Sequence, residues 1–478
     1  MTALLWDVQR THLQEAEFLF EAWDRSLDSP QYDLQEIYEG PEERLEAHIG
    51  GLVVGGPAVS NALLLPVLDR PDEDRYRTAA AALSILSGPQ LDLRERVMAR
   101  LDSAGEAGRW GITRAFQIAN RKGIGRMLAR DLQALQGPGL AARLQALAPR
   151  HYDPKRKLAT WLDDGDPEVR RAAALLARRT GSSAALKRLI PCMDADDLEL
   201  RAVAIESALI RGLPGSWQAA CGLALGNPDN LPKDMLALHD RALTWVAMLG
   251  DSRAHGRILE ALTRAPSPAR LWAGALTGRV EAVDIACTLL DHPSLARLAA
   301  ELVCTVAGLP IRERSFWLDE GAQGAYGLDP DEGLPPLDQD DLDADLIPSE
   351  TLKLRLPDPE AVRRWWKQRA PSMRNQADQA EPGDEGEPQR YLGGEPLDAD
   401  RLLWGLRTLS SRVRHPLAIE LAMRSAGVHV IDTRRASAKA QLVQLAQVQR
   451  AIDSSDTPLD CQSGLPLLTS NRAPQPWH

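Results

Sequence analysis

Residues 163–173 read Asp163-Asp164-Gly165-Asp166-Pro167-Glu168-Val169-Arg170-Arg171-Ala172-Ala173, and this pattern returns at a fixed interval along the chain. Asp196-Asp197-Leu198-Glu199-Leu200-Arg201-Ala202 places Arg201 31 residues after Arg170, and Arg77, in Asp74-Arg75-Tyr76-Arg77-Thr78-Ala79-Ala80, lies three such periods before it. His292-Pro293-Ser294-Leu295-Ala296-Arg297 falls near the fourth period downstream, with Ala296 in place of the arginine. Each position has a mechanical use. Asp166 can accept from the orphan N–H groups of a helix N-terminus, and Pro167 suits the first helical position. Val169, Ala172, Ala173 and Leu176 then share one helical face. Short helix-period runs separated by Gly123, Gly137-Pro138-Gly139, Pro214-Gly215, Asn227-Pro228 and Gly250 fill the intervals. Two helices of about 12 residues plus turns fit one period, and such a pair buries its apolar stripe only by stacking on its neighbours.

The motif of 163–177 resembles the HEAT-repeat family, and the likeness extends over about residues 41–310. It implies an all-α fold: a HEAT-like α-solenoid of stacked helix pairs with a C-terminal helical appendage. The expected divisions are an N-terminal helical cap at 1–40, the solenoid at 41–314, an acidic linker at 315–352, a C-terminal helical region at 353–452 and a tail at 453–478. In the cap, Val8, Leu13, Ala16, Leu19, Phe20 and Trp23 form one apolar face, closed by Pro30. The C-terminal region is expected to hold a short helix at 360–369, a disordered polar loop near 371–388 and a helical unit at about 398–425.

The 478-residue chain carries a net charge of −11, unevenly spread. Residues 1–74 hold 4 basic and 16 acidic side chains, whereas residues 75–188 hold 22 basic and 10 acidic. The linker has eleven acids and no Lys or Arg. A flexible segment of roughly 25–30 residues reaches on the order of 30 Å, enough to bring it back over the basic middle repeats. The N-terminus lacks a basic segment followed by a long apolar run, and no stretch approaches the roughly 18 apolar residues of a membrane span. Five cysteines, odd in number and widely spaced, read as free thiols in a reducing compartment. These features lead us to expect a cytoplasmic protein.

Sites for chemistry are scarce. Nine histidines form neither HExxH nor His-x-His, and GxSxG, P-loop and dinucleotide signatures are missing. Gly123-Ile124-Gly125 reads as an interhelical turn. We therefore expect no catalytic residue, no metal site and no cofactor. Two groups remain as candidates for partner binding. Arg109, Arg114, Arg121, Lys122, Arg126 and Arg130 lie in the basic segment, with Trp110 and Phe116 interleaved. They read either as a face for an acidic partner or as solvated helix surface. Arg363-Arg364-Trp365-Trp366-Lys367 pairs neighbouring tryptophans with cations. Adjacent helical positions point about 100° apart, so one Trp either anchors a partner or packs on a second surface of the protein itself. Asp163, Asp166, Pro167, Arg170 and Arg201 read as structural, the arginines reaching capping acids of a neighbouring repeat.

Two blocks carry a narrower likeness. Glu43-Arg44-Leu45-Glu46-Ala47-His48-Ile49-Gly50-Gly51-Leu52 is one; Tyr391-Leu392-Gly393-Gly394-Glu395-Pro396-Leu397 with Ala418-Ile419-Glu420-Leu421-Ala422-Met423-Arg424-Ser425 is the other. Both resemble an uncharacterised family of bacterial HEAT-like proteins often encoded in type VI secretion gene clusters. That resemblance implies a setting and carries over no catalytic residue. The expected function is a non-catalytic protein-binding scaffold, immunity-like or adaptor-like, whose partner is a secreted toxin or a secretion component. No membrane partner is expected, and the acidic flanks disfavour nucleic acid. The alternatives are a HEAT-like DNA-processing enzyme of the glycosylase type, a lyase, or a structural part of the secretion apparatus. Convergent titratable groups in one cleft would favour an enzyme, and a smooth, charge-segregated groove a binder.

Overall fold

The computed structural model describes residues 4–226, 231–318, 351, 353–378, 388–455 and 458–465. Residues 319–350, most of the acidic linker, lie outside them, as does the expected docking of that linker on the basic repeats.

The 31-residue period is visible as a double row of helices. After the N-terminal helices α1 (Trp6–Ser26), α2 (Leu34–Ile37), α3 (Glu43–Val54), α4 (Gly56–Val59) and α5 (Leu65–Asp69), the pairs begin. They are α6 (Arg75–Ser87) with α7 (Leu91–Ser103), α8 (Glu106–Ile118) with α9 (Ile124–Ala129), and α10 (Gly137–Leu147) with α11 (Lys157–Leu162). Then come α12 (Pro167–Leu176) with α13 (Ser183–Cys192), and α14 (Leu198–Ile210) with α15 (Ser216–Ala224). The stack ends with α16 (Leu236–Leu249) and α17 (Ser252–Arg264), α18 (Pro268–Thr277) and α19 (Val280–Thr288), and α20 (Ala296–Ala307). First members pack on one another in sequence from α6 to α20 and form an inner row.

The two rows differ in composition for a physical reason. Inner helices touch protein on nearly every side, and α6 buries every residue from Thr78 to Leu86. Outer helices are amphipathic: α17 buries only Ala254, His255, Ile258 and Leu262. Small residues set the spacing. A Cβ on Gly111 of α8 would lie 2.3 Å from the Arg75 carbonyl oxygen of α6, so these two backbones meet at a distance no larger residue permits. The caps behave as expected. Asp166 accepts from Glu168 N at 2.8 Å with Pro167 at the start of α12, and Asp197 and Asp74 cap α14 and α6 in the same way. Asp163 instead pairs with Arg188 at 3.1 Å.

The arginine ladder uses other residues than expected. Arg170 and Arg201 make no ion pair among the described residues, and each has a buried Nε without a hydrogen-bond partner. Other arginines do the bridging. Arg171 reaches the α14 capping acid Asp197 at 2.7 Å, and Arg100 reaches Asp69 at 2.6 Å. Arg143 adds a bond from Nε to Asp102 at 2.8 Å. One position along a helix turns a side chain by about 100°, and that rotation decides which arginine faces the next pair.

The C-terminal region is built into the stack. Helix α21 (Pro359–Asp378) continues through Pro371 well past the expected end at 369, so the polar loop begins no earlier than residue 379. Trp317 and Pro357 form an antiparallel bridge, and Leu318 N donates to Leu356 O at 3.0 Å, so the acidic segment leaves and re-enters the fold at one place. A hairpin of β1 (Tyr391–Leu392) and β2 (Glu395–Pro396) docks on α18 and α20: Tyr391 N donates to Gly278 O at 2.8 Å and Gly394 N to Val306 O at 2.8 Å. Its turn uses Gly393 and Gly394, both at positive φ, where side chains would strain the backbone.

Helices α22 (Ala399–Thr408), α23 (Ser411–Arg424) and α24 (Ala438–Asp453) then lie against the inner row and the N-terminal helices. Ser411 N donates to Tyr32 O at 2.8 Å, and Glu42 accepts from Ala438 N at 2.6 Å and Lys439 N at 2.9 Å. Arg312, just beyond α20, pairs with Glu36 of α2. The two ends of the stack thus meet, and α22–α24 fill its inner side. One apolar cluster runs from Leu13 through the repeats as far as α18 and on to Cys461, and a second joins α18–α20 to α21, so residues 458–465 of the expected tail are docked. All five cysteines are free thiols. No single described helix is long and apolar enough to cross a membrane; one bent pair, 34–54 with 56–69, passes on length and composition alone.

Candidate functional site

The two groups singled out in the sequence meet different fates. Arg114 turns inward from α8, where it is 8 % exposed and donates to Asp24, to Gln117 and to the Arg434 carbonyl. Its guanidinium also stacks over Trp23 at 4.9 Å. It therefore ties the cap and the C-terminal loop to the stack and is not available to a partner. Arg109 is half-buried and holds the Ala104 carbonyl at 2.5 Å. Arg130 is exposed and pairs with Glu95.

Arg121, Lys122 and Arg126 remain at the surface, in and just after the turn from α8 to α9. The next repeat adds Lys155, Arg156 and Lys157 in the turn from α10 to α11. Arg150 joins the two turns by donating from Nη2 to the Ala119 carbonyl at 2.6 Å. None of these six exposed cations forms an ion pair among the described residues; Arg121 donates to the Ser87 carbonyl at 2.9 Å. The result is a basic edge spanning two repeats.

Helix α21 lies on α19, the outer helix of the last complete pair. Trp366 is 5 % exposed, and its Nε1 donates to Asp284 at 2.8 Å. Trp365 packs edge-on against Phe316 at 6.2 Å between ring centres. Arg363 donates to the Cys287 carbonyl at 3.0 Å and pairs with Asp291. Both tryptophans therefore dock the helix on its own protein. Arg364 and Lys367 point outward.

A second region was not apparent in the sequence. Between the inner row and α23 with its following loop lies a chamber of about 820 Å³. Seven arginines and four carboxylates line it, with Tyr152, Trp245 and Trp272. Arg178 and Arg179 enter from the end of α12, Arg241 from α16, and Arg434 and Arg435 from the loop. Most cations are paired. Arg178 pairs with Glu206, Arg241 with Glu199 at 3.3 Å, Arg435 with Asp432 at 3.3 Å, and Arg434 with Asp28 at 3.2 Å. Arg179 differs, and Arg412 is paired only at long range. Arg179 donates to the Val430 carbonyl and forms no ion pair among the described residues, and burial pushes its guanidinium down to about 10. Arg412 stacks over Trp272 at 4.7 Å, and its carboxylate neighbour Glu301 stands 3.8 Å away. Burial raises Glu301 to about 7, against the pull of Arg412.

The chamber also holds a relay of acid, imidazole and hydroxyl. Asp28 lies 3.0 Å from His415 Nε2, and His415 Nδ1 lies 2.7 Å from Thr433 Oγ1. The hydrogen bond from His415 helps hold Asp28 down at about 2, while burial lowers the imidazole below its ordinary range. Thr433 is 6 % exposed, and Asp432 beside it caps the turn through Arg435 N. The relay joins the end of α1 to α23 and the loop, which is a clamp. The signals for this region were the paired arginines 178–179 and 434–435, each at the end of an apolar run. Nothing local to either pair shows that the two face one space.

The described residues contain no group of three or more His, Cys, Asp or Glu arranged to hold a metal. No family model matches this chain, and no curated protein does. A solved structure titled as an engineered protein from a structural genomics consortium is similar over 61 % of this chain and 88 % of its own. Its identity is 17 % and its TM-score 0.28, too low to carry an argument.

Proposed function

We propose that this protein is a non-catalytic binding scaffold that engages an acidic partner protein through the basic edge of its middle repeats. The observation that carries this reading is the edge itself. Arg121, Lys122, Arg126, Lys155, Arg156 and Lys157 stand exposed on and beside two adjoining turns and form no ion pair among the described residues, while Arg114, Arg130 and Arg143 of the same segment are used in internal pairs. Unpaired cations on a rigid frame attract an acidic surface at long range and fix its register at contact. The inner side, which a solenoid ordinarily offers to a ligand, is filled by α22–α24, so a protein partner must use an edge or the outer row. The sequence resemblance supplies the setting: a bacterial type VI secretion system, with the scaffold acting in the cytoplasm as an adaptor or immunity-like component.

The test compares tagged wild type with a Lys122→Glu/Arg126→Glu/Arg156→Glu variant, both purified from the native host and followed by mass spectrometry. An acidic protein encoded with the secretion cluster should accompany the wild type at about 0.1 M salt. It should be lost near 1 M, where the Debye length falls to about 3 Å, and lost from the variant. The same proteins accompanying both forms would overturn the assignment.

A further inference from the structure

We propose that the central chamber is a binding site for a small organic polyanion, one carrying two or more phosphate or carboxylate groups and no larger than a nucleotide. This goes beyond the partner-binding edge and uses different residues.

Three observations carry it. The first is size: about 820 Å³ lies within the roughly 300–1,000 Å³ of small-molecule sites, and too little space for a folded partner. The second is charge. Seven arginines face the chamber against four carboxylates on its wall; with Asp197, which pairs with Arg171, and Glu301, 3.8 Å from Arg412, counted as well, a formal excess of one positive charge remains, at Arg179. The carboxylates Glu199, Glu206, Asp432 and Asp28 are each engaged by another arginine, and Asp432 attracts Arg179 only from beyond ion-pair distance. The third is the state of Arg179 and Arg412. Arg179 has only a carbonyl as acceptor, and Arg412 has a carboxylate 3.8 Å away that burial brings toward its protonated form. A guanidinium withdrawn from water without a carboxylate is costly to hold, and a bound phosphate or carboxylate offsets that cost through charge-assisted, often bidentate bonds.

The chamber is also anchored for this purpose. Arg412 is steadied by the face of Trp272, and Arg179 rises from the end of an inner helix. The wall opposite is the 430–435 loop, held by the His415 clamp and by the Asp432 cap. Fixed cations lose little freedom on binding, which favours a compact multivalent anion over a single charge.

Calorimetry on the full chain at about 50 mM salt, with pyrophosphate, citrate and ATP as separate probes, tests the assignment. At least one probe should bind one equivalent with a Kd below about 100 µM. Arg179→Gln and Arg412→Gln should each weaken it about tenfold or more, with Arg→Lys losing less. Lys122→Glu on the outer edge should leave it unchanged, which separates this site from the partner-binding one. Pyrophosphate and ATP binding without citrate would identify a phosphate ligand; citrate alone, a polycarboxylate. Should Arg412→Gln not fold, protection of residues 428–435 from hydrogen exchange by the bound probe in wild type replaces it. Failure of all three probes to bind more tightly than about 1 mM would overturn the proposal. So would binding indifferent to Arg179→Gln, or binding that protects 119–126 instead of 428–435.

Discussion

Substituting Glu420 by Gln probes how the closed stack is held. Glu420 is 1 % exposed and accepts from Arg390 Nη1 at 2.5 Å, Arg390 Nη2 at 3.3 Å and Arg424 Nε at 2.8 Å. The two arginines spend other donors on carbonyls around them. Arg390 reaches Leu276, Thr277 and Cys461; Arg424 reaches Met248, Asp460 and Ser463. One carboxylate therefore neutralises two buried guanidiniums that stitch α16, α18 and the 458–465 segment to α23. Gln keeps the shape, removes the charge and turns an N–H₂ toward arginine donors. Breaking a buried pair from one side costs about 3–5 kcal/mol. For 478 residues the unfolding entropy is on the order of 1 kcal/mol per kelvin, so the melting temperature falls by only about 3–5 °C. Urea unfolding followed by tryptophan fluorescence reads the free energy more directly. Acid adds a second readout. Burial alone would raise the Glu420 pKa, but Arg390 and Arg424 outweigh it and hold the carboxyl below its ordinary range. Its stabilisation is therefore present above the unfolded-state pKa and is lost as pH falls through the folded one, and the variant should lack that part of the acid limb. A urea stability within about 0.5 kcal/mol of wild type, with an unchanged acid limb, would refute the reasoning.

Two further outcomes follow from the geometry. Glu301 has the opposite sign: burial raises it to about 7, so its contribution is favourable below the unfolded-state value and is lost as pH rises toward 7. Glu301→Gln should match wild type near pH 4 and exceed it by up to about 3 kcal/mol at pH 8, measured by urea unfolding at both pH values; a variant less stable than wild type at pH 8 would contradict this. Arg171→Ala should cost about 1 kcal/mol through the half-exposed pair with the capping acid Asp197, whereas Arg170→Ala should change stability by less than about 0.5 kcal/mol. The reverse order in parallel thermal melts would restore the ladder to Arg170.

Much of the architecture was legible in the chain itself. Asp166-Pro167 and Asp197-Leu198 mark helix starts by local chemistry, capping and a fixed φ, which depend on neighbours in sequence. Helix starts at 75, 106, 137, 167 and 198 keep the period read from the motif. The contrast between Thr78–Leu86, buried all round, and the amphipathic outer helices is likewise written in composition. The basic edge was partly legible, because Arg121 and Lys122 sit in a turn, with Arg126 in the first turn of the helix after it, and turns face water.

What only the tertiary structure decided depends on long-range closure. Arg114 and Arg121 lie in one basic run, yet one is buried against Asp24 and the other exposed, because the cap and the C-terminal loop return to α8 from 90 and 320 residues away. Trp366 reads equally well as an anchor or as core until Asp284 is seen beneath it. The chamber joins α12, α14 and α16 to α23 and residues 430–435, and no local pattern specifies that meeting. Period and capping are properties of adjacent residues. Curvature is the sum of small rotations over every repeat, and that sum determines that the two ends meet, that α22–α24 fill the inner side and that Arg179 and Arg412 face one space.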